Sequence, residues 1–404
     1  MKASVIACAA SEKRLPGRLV VLFAVASGMS VANVYYAQPL LDALARDFAI
    51  SYATVGGVVT ATQVGCALAL LLLVPLGDII NRRRLMLVQL LALVVVLGVV
   101  ALANSAGMLL AGMLAVGLLG TAMTQGLIAS AASASDSQER GRVVGAAQGG
   151  VFIGLLLARV FSGVVSDLAG WRAVYGTSAL LMLVLLLLLW RWLPRFETQG
   201  QPVRWSQLLF SMLKLLITDR VLVIRGMLAL LMFAAFTIFW SAMVLPLSAP
   251  PYRFSHTVIG LFALAGVAGA LAAARAGQAA DRGYAQRTSF LALLVLLLAW
   301  WPLSRLEHSI PLLLLGVVLL DLGGQALHVT NQSLIFRAAA ELHGRLVALY
   351  MLFYAIGSGV GALLTTAVYS QYGWQGVCWL GASVSLLALM IWGLTRRLMP
   401  EEYR

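Results

Sequence analysis

Four polar side chains share one face of a mostly apolar segment in the last third of the chain. They follow one another at spacings of four, three and four, which places them on one face of a helix: Asp321, Gln325, His328 and Gln332. A polar stripe on a helix in lipid faces a cavity or a partner helix. The face therefore predicts a buried polar site whose only carboxyl group belongs to Asp321.

Asp321 lies eleven residues after Ile310, about 16 Å into a helix that rises 1.5 Å per residue, and so near the middle of a bilayer. A carboxyl group there must take up a proton, pair with another group or face water. We interpret Asp321 as a proton-coupling residue; the alternative is a structural carboxyl held by hydrogen bonds. His328 is a second candidate for proton transfer, or else a hydrogen-bonded structural group.

Arg159 is the other charge inside an apolar segment, about 21 Å along a helix that starts near Gly145. Its guanidinium stays protonated, so it can act as a counter-ion, bind an anion or pack beside a wet crevice. We hypothesise that Arg159 and Asp321 interact, either directly or through a bound molecule.

The composition explains where these groups must sit. The 404 residues are 61% hydrophobic and 11% charged, whereas about a quarter of the residues in soluble domains are charged. Twelve apolar stretches approach the roughly 20 residues that span a bilayer: 18–40, 53–76, 84–104, 106–129, 144–165, 173–193, 226–248, 257–275, 287–304, 309–336, 345–370 and 373–395. They lack the period-2 alternation of barrel strands. We predict an all-α membrane protein with twelve transmembrane helices.

The net charge of +13 is unevenly placed. With the N-terminus inside, 23 of the 28 Lys and Arg residues fall in cytoplasmic segments, and four fall opposite: Arg46, Arg172, Arg253 and Arg305. This asymmetry is typical of a multi-pass protein of the cell inner membrane with both termini in the cytoplasm. It accounts for the basic charge without a nucleic-acid partner. We expect no metal, no cofactor and no enzymatic activity, because no nucleotide loop, nucleophile motif or ligand cluster is evident.

Four landmarks recur at an offset of 203 residues. They are Asp78 and Asp281, Arg84 and Arg287, Gly141-Arg142 and Gly344-Arg345, and Gly170-Trp171 and Gly373-Trp374. The repeat predicts two pseudo-symmetric six-helix bundles, 1–193 and 226–404. The linker 194–225 between them contains a short amphipathic helix at 205–217. Parallel repeats around a midplane site are an architecture of secondary transporters.

The run from Leu76 to Arg84 resembles the loop signature of the major facilitator superfamily, and Gly277 to Arg282 resembles a decayed copy. Ile79 and Asn81 depart from the family pattern. The resemblance implies that the following residues gate the two halves: Asp78, Arg82, Arg83, Asp281 and Arg282. The alternative is that the arginines only anchor the topology.

A second stretch resembles the glycine-rich antiporter signature of this superfamily. Gly154 and Gly163 match it, Ala158 and Ser162 are small replacements, and Arg159 stands where the family has proline. Small residues at this spacing let two helices approach closely. The resemblance implies the drug:proton antiporter, or efflux, branch; the alternative is general helix packing.

In this superfamily the first, fourth, seventh and tenth helices line the cavity. That resemblance adds five cavity candidates to Arg159: Asn33, Tyr36, Gln125, Trp240 and Gln325. We expect a monomeric secondary active transporter that exports a small, partly apolar molecule in exchange for protons by alternating access. The alternatives are an uptake symporter for a sugar or organic acid and a transporter-like receptor without flux.

Overall fold

The computed structural model describes residues 15–136, 139–193, 205–335 and 343–399, and over these residues the chain is helical with no strand. The helices are α1 Gly17–Tyr35, α2 Leu41–Asp47, α3 Gly57–Leu68, α4 Arg82–Ala101, α5 Ala106–Ala134, α6 Arg140–Ala169, α7 Trp171–Trp192, α8 Trp205–Thr218, α9 Arg220–Ala242, α10 Val244–Ser248, α11 His256–Leu261, α12 Val267–Ala279, α13 Ala285–Leu298, α14 Trp300–Leu303, α15 Ile310–Ile335 and α16 His343–Thr395.

Ten helical segments of the described chain are long and apolar enough to cross a membrane. One of them, Gly344–Thr395, bends at Gly373 and so contains two of the predicted spans. The helix His256–Gly266 continues into α12 and supplies another. The all-α membrane fold is confirmed, and this arrangement is consistent with twelve spans.

Glycine brings helices into close contact in each half. A Cβ on Gly154 of α6 would overlap the backbone of Gly28 in α1. In the second half, a Cβ on Gly357 of α16 would overlap the backbone of Leu230 in α9. Gly154 and Gly357 are themselves 203 residues apart, so the sequence repeat coincides with a repeated packing contact.

Two helix bends also recur at the offset of 203 residues. Gly170 has a φ of 82° between α6 and α7, and Gly373 has a φ of 62° inside α16. Each precedes a tryptophan whose indole N–H is hydrogen-bonded at 3.0 Å or less: Trp171 donates to Asp47 Oδ2, and Trp374 donates to the Leu303 carbonyl at 2.9 Å. Only glycine adopts such a backbone without strain.

The two ends of the bundle differ in charge. Helices α4, α6 and α9 begin with Arg82, Arg140 and Arg220 at one end, which we call the arginine-rich end. At the other, arginine-poor end, Arg172 donates to the Ala103 carbonyl at 2.9 Å and pairs with Asp47. That pairing lowers the pKa of the Asp47 carboxyl, through its hydrogen bond with Arg172.

The linker differs from its predicted bounds. The short helix predicted there is α8, which exposes Phe210 and Ile217. However, α9 begins at Arg220, six residues before the predicted span, and carries Arg225 into the second half. Arg225 is buried and donates to Ser289 at 2.9 Å. A prediction from hydrophobicity ends a span at an arginine. Here the hydrogen bond to Ser289 allows Arg225 to lie inside the bundle.

We expect Gly170→Ala or Gly373→Ala to lower the free energy of unfolding by about 1–3 kcal/mol, because alanine is strained in either backbone conformation. Thermal unfolding of the purified protein measures the loss. Gly176→Ala is the matched control, since Gly176 lies within α7 and a Cβ there meets nothing within 4 Å. Equal stability of all three variants would contradict the assignment.

Candidate functional site

A cavity of about 50 Å³ lies between the two halves, about midway along the helices. The first half contributes three of its polar or aromatic lining groups and the second half three more: Tyr35, Gln38 and Arg159, and Trp240, Asp321 and Gln325. The structure thus brings together Arg159, Trp240, Asp321 and Gln325, which sequence reasoning selected separately.

Arg159 is 4% exposed and is held mainly by an amide. Its Nε and Nη2 donate to Gln38 Oε1 at 3.1 and 2.7 Å, and Nη1 donates to the Leu155 carbonyl at 3.3 Å. The guanidinium carbon lies 4.3 Å from the Trp240 ring centroid and 5.3 Å from that of Tyr35. Aromatic faces attract a cation, so a neutral amide and two rings surround this charge.

Asp321 is 6% exposed on α15, and its Oδ2 has no hydrogen-bond partner in the described part of the chain. Glycines of the neighbouring segment make room for it: a Cβ on Gly266 would lie 2.9 Å from Asp321 Oδ2, and one on Gly269 would lie 3.0 Å from the Asp321 carbonyl oxygen. Among the described residues no ion pair joins Asp321 to Arg159, although both groups line the cavity. The cavity therefore presents a fixed cation and an unpartnered carboxyl oxygen.

Sequence reasoning missed Tyr35, Gln38 and Tyr354. The hydroxyl groups of Tyr35 and Tyr354 are hydrogen-bonded to each other and join the two halves beside the cavity. Tyr354 also packs edge-on against Phe233, with ring centroids 4.3 Å apart. The position of Gln38, one residue before Pro39 near the end of the first span, was the available signal for that residue.

Asn33 and Tyr36 lie inside the first half and are not among the residues lining the described cavities. Asn33 donates to the Met29 carbonyl at 2.8 Å and accepts a hydrogen bond from Ser178 at 2.7 Å. Tyr36 packs against Phe161 and Tyr175, with centroids 5.3 and 6.4 Å away. Successive helical positions are rotated by about 100°, so the step from Tyr36 to Tyr35 turns a side chain from packing to the cavity.

Gln125 lines a different cavity of about 270 Å³ nearer the arginine-rich end. Arg82 also lines it and donates to the Gly77 carbonyl at 2.9 Å and to Ser133 at 2.6 Å. Arg345 of the second half completes the wall. One predicted substrate residue, Gln125, and one predicted gate residue, Arg82, thus meet at this cavity rather than at the central one.

The other predicted gate residues do not line either cavity or lie outside the described side chains. Arg83 donates to the Trp190 carbonyl at 2.6 Å, and Arg282 is exposed. The side chains of Asp78 and Asp281 lie outside the described part of the structure.

His328 does not line the central cavity. Its Nδ1 is 2.9 Å from the Tyr350 hydroxyl, and its ring packs edge-on against Phe233 at 5.4 Å. The described structure shows no carboxylate in contact with it. The role of His328 in proton transfer remains a prediction.

The small residues of α6 divide between two contacts. Gly154 packs within the first half, whereas a Cβ on Gly163 would overlap the His256 carbonyl of α11 in the second half. A Cβ on Gly260 of α11 would likewise overlap the Arg159 carbonyl. Ala158 is buried, and Ser162 donates to the Arg159 carbonyl at 3.3 Å. Towards the arginine-poor end, then, α6 and α11 close the two halves backbone to backbone.

A second contact closes the same end. Thr60 of α3 donates to the Gly359 carbonyl of α16 at 2.8 Å, and the Gly56 amide donates to Thr366 at 3.2 Å. Both contacts cross between the halves. The described conformation is therefore closed at the arginine-poor end.

Like halves around a polar midplane cavity define a secondary transporter. The model of the Major Facilitator Superfamily matches residues 21–284 and 227–404, and the chain belongs to this superfamily. It is thus a membrane transporter of small molecules rather than an enzyme.

Two relatives and one solved structure are similar to this chain. The chain is 41% identical to the uncharacterized transporter YgaY of Escherichia coli O157:H7, covering 93% of this chain and 94% of that one. It is 25% identical to the probable sugar efflux transporter of Helicobacter pylori strain P12, covering 87% and 88%. The fold matches a bacterial homologue of the lysosomal transporter Spinster with a TM-score of 0.77 at 12% identity, over 96% of this chain and 98% of that one.

We expect Gln38→Leu to lower the free energy of unfolding by about 1.5–3 kcal/mol, because it leaves the buried Arg159 without its main acceptor. Gln38→Glu, which retains an acceptor oxygen, should stay close to the wild type. Thermal unfolding in detergent compares the three proteins. A Gln38→Leu variant as stable as the wild type would show that other groups satisfy Arg159.

Proposed function

We propose that this protein exports a small, partly apolar molecule in exchange for protons, and that the central cavity binds both. The observation that carries the proposal is the meeting of Arg159 and Asp321 from opposite halves in one enclosed space. A group that keeps its charge and a group that can change its charge are the two parts that coupling needs.

Arg159 supports the substrate-binding part. Its guanidinium cannot usefully lose its proton, and the acceptor for two of its N–H groups is the neutral Gln38 side chain. A substrate with an acceptor oxygen or an anionic group could replace that amide. The faces of Trp240 and Tyr35 offer apolar area on the same wall.

Asp321 supports the coupling part. It is the twelfth of the 26 residues of α15, and a protonated carboxyl costs far less to enclose in lipid than a carboxylate. Proton binding at Asp321 therefore favours the enclosed state of the cavity. Protonation and substrate binding would then shift the populations of states open to either side.

The charge asymmetry supports an inner-membrane protein with both termini in the cytoplasm. That orientation makes the arginine-rich end cytoplasmic. Export is the direction named for the Helicobacter pylori relative, a probable sugar efflux transporter. We also propose that the monomer is the working unit, because the two halves of a single chain line the central cavity.

The competing proposal is uptake of an organic acid together with a proton, and Arg159 is the observation that favours it. An anion bound at Arg159 would be compatible with a protonated Asp321. Symport predicts that substrate and proton bind together, whereas antiport predicts that one displaces the other.

The number of protons released or taken up on substrate binding distinguishes antiport from symport. After a thermal-shift screen of sugars, organic acids and amphipathic amines, the compound that most stabilises the protein is added to it in weak buffer with a pH indicator. We expect the wild type to release protons on binding, up to one per substrate. Asp321→Asn should bind without release, and it should lose transport driven by a pH step in vesicles while keeping exchange.

Glu307 is an exposed carboxyl group at the arginine-poor end. Its substitution Glu307→Gln is the matched control and should behave as the wild type. Proton uptake instead of release would favour the symporter. Full gradient-driven transport by Asp321→Asn would remove Asp321 from the coupling scheme. Binding without flux in any assay would favour the receptor.

A further inference from the structure

A histidine at the arginine-poor end joins the two halves. His256, the first residue of α11 in the second half, lies between two carboxylates of the first half. Its Nε2 is 2.8 Å from Asp42 Oδ1 of α2, and its Nδ1 is 3.2 Å from Asp167 Oδ1 of α6. His256 is one position before the apolar segment predicted at 257–275, and its side chain is 16% exposed.

The geometry requires a particular protonation state. A carboxylate only accepts hydrogen bonds, and a neutral imidazole has one N–H to donate. Both contacts of His256 can form only when both ring nitrogens carry protons. The neutral ring would place a lone pair against one of the two carboxylates, so that contact would become repulsive.

The backbone reinforces the Asp167 side of the contact. The amides of His256 and Thr257 donate to the Asp167 carboxylate at 3.1 and 2.7 Å. These bonds do not depend on the imidazole. The contact with Asp42, which is 2% exposed, depends on the imidazole itself.

We propose that His256 is a proton-binding site separate from the central cavity, and that its protonated form latches the two halves together at the arginine-poor end. The latch comprises His256, Asp42 and Asp167. It goes beyond the proposed function, because it requires neither a substrate nor a proton on Asp321.

The two carboxylates that face His256 favour its protonated form. The hydrogen bond to Asp42 raises the pKa of His256 above its ordinary value, against the opposing effect of burial, and Asp167 adds to the rise. On α2, Arg46 pairs with the other oxygen of Asp42 at 3.0 Å. No other charged side chain of the described residues is recorded in contact with the ring.

The sign of the pH dependence follows from this raised pKa. The closed end gains its full stabilisation below the pKa that His256 has when the halves separate, about 6.5 for a solvated imidazole. The stabilisation is lost as the pH rises through the higher value of the closed state. Each unit between the two pKa values changes the ratio of closed to open molecules by about tenfold.

The latch would couple proton uptake from one side of the membrane to closure at that side. In the orientation that the charge asymmetry predicts, the arginine-poor end faces outside. A proton taken up there would favour closure of that end and so opening at the cytoplasmic end. An exporter driven by inward proton movement needs this step, because it must open to the cytoplasm again before it can bind the next substrate.

Distances between spin labels test the latch without any substrate. Labels at Leu102→Cys and His308→Cys, one on each half at this end, are exposed and outside the latch. They are placed in full-length protein whose Cys8, Cys66 and Cys378 are serine, and measured from pH 5.5 to 8.5. The short-distance population should fall as the pH rises.

His256→Gln, which can hydrogen-bond but not titrate, should make the distances independent of pH. Glu307→Gln, which removes an exposed titratable group at the same end, is the control and should keep the wild-type titration. Asp42→Asn, which keeps His256 but removes one carboxylate, should move the midpoint to lower pH. The proposal would be wrong if the label distances in the wild type did not change with pH. It would also be wrong if they changed equally in His256→Gln.

Discussion

A permanent positive charge in the middle of a hydrocarbon layer is the constraint around which this structure is arranged. Isolated in lipid, the Arg159 guanidinium would be far too costly to bury. Gln38 accepts two of its hydrogen bonds, and the rings of Trp240 and Tyr35 face it. These groups come from both halves of the protein. Stabilising one charge therefore requires the two halves to meet, and the place where they meet is the cavity.

The same charge explains why the neighbouring carboxyl is left without a full set of partners. Gln38 occupies the guanidinium, so in the described conformation Asp321 shares the cavity with Arg159 but forms no ion pair with it. A tight pair would neutralise both groups and hold the halves together. The looser arrangement leaves each group available, one to a ligand and one to a proton, which is why we place binding and coupling in one site.

Closure at the arginine-poor end depends on shorter-range contacts. The glycines of α6 and α11 bring the two backbones together one turn beyond Arg159, and His256 lies where that contact reaches water. Packing of this kind is nearly independent of pH, whereas the imidazole contacts are not. The central cavity and the latch share α6, which carries both Arg159 and Asp167, so a change at either one alters the separation of the halves.

The sequence alone determined the membrane fold, the repeat at 203 residues and the chemical types in the site, because hydrophobic length, glycine spacing and buried charge are visible in a linear chain. It selected Arg159, Asp321, Trp240 and Gln325 as polar or aromatic groups in apolar segments, and all four line the central cavity. Only the tertiary structure decided which helical face turns inward. Tyr35 rather than Tyr36 lines the cavity, Gln38 holds Arg159, and His256, apart from every motif, lies between two aspartates. A rotation of one residue, or a contact between positions 214 residues apart, is set by packing and leaves no local pattern.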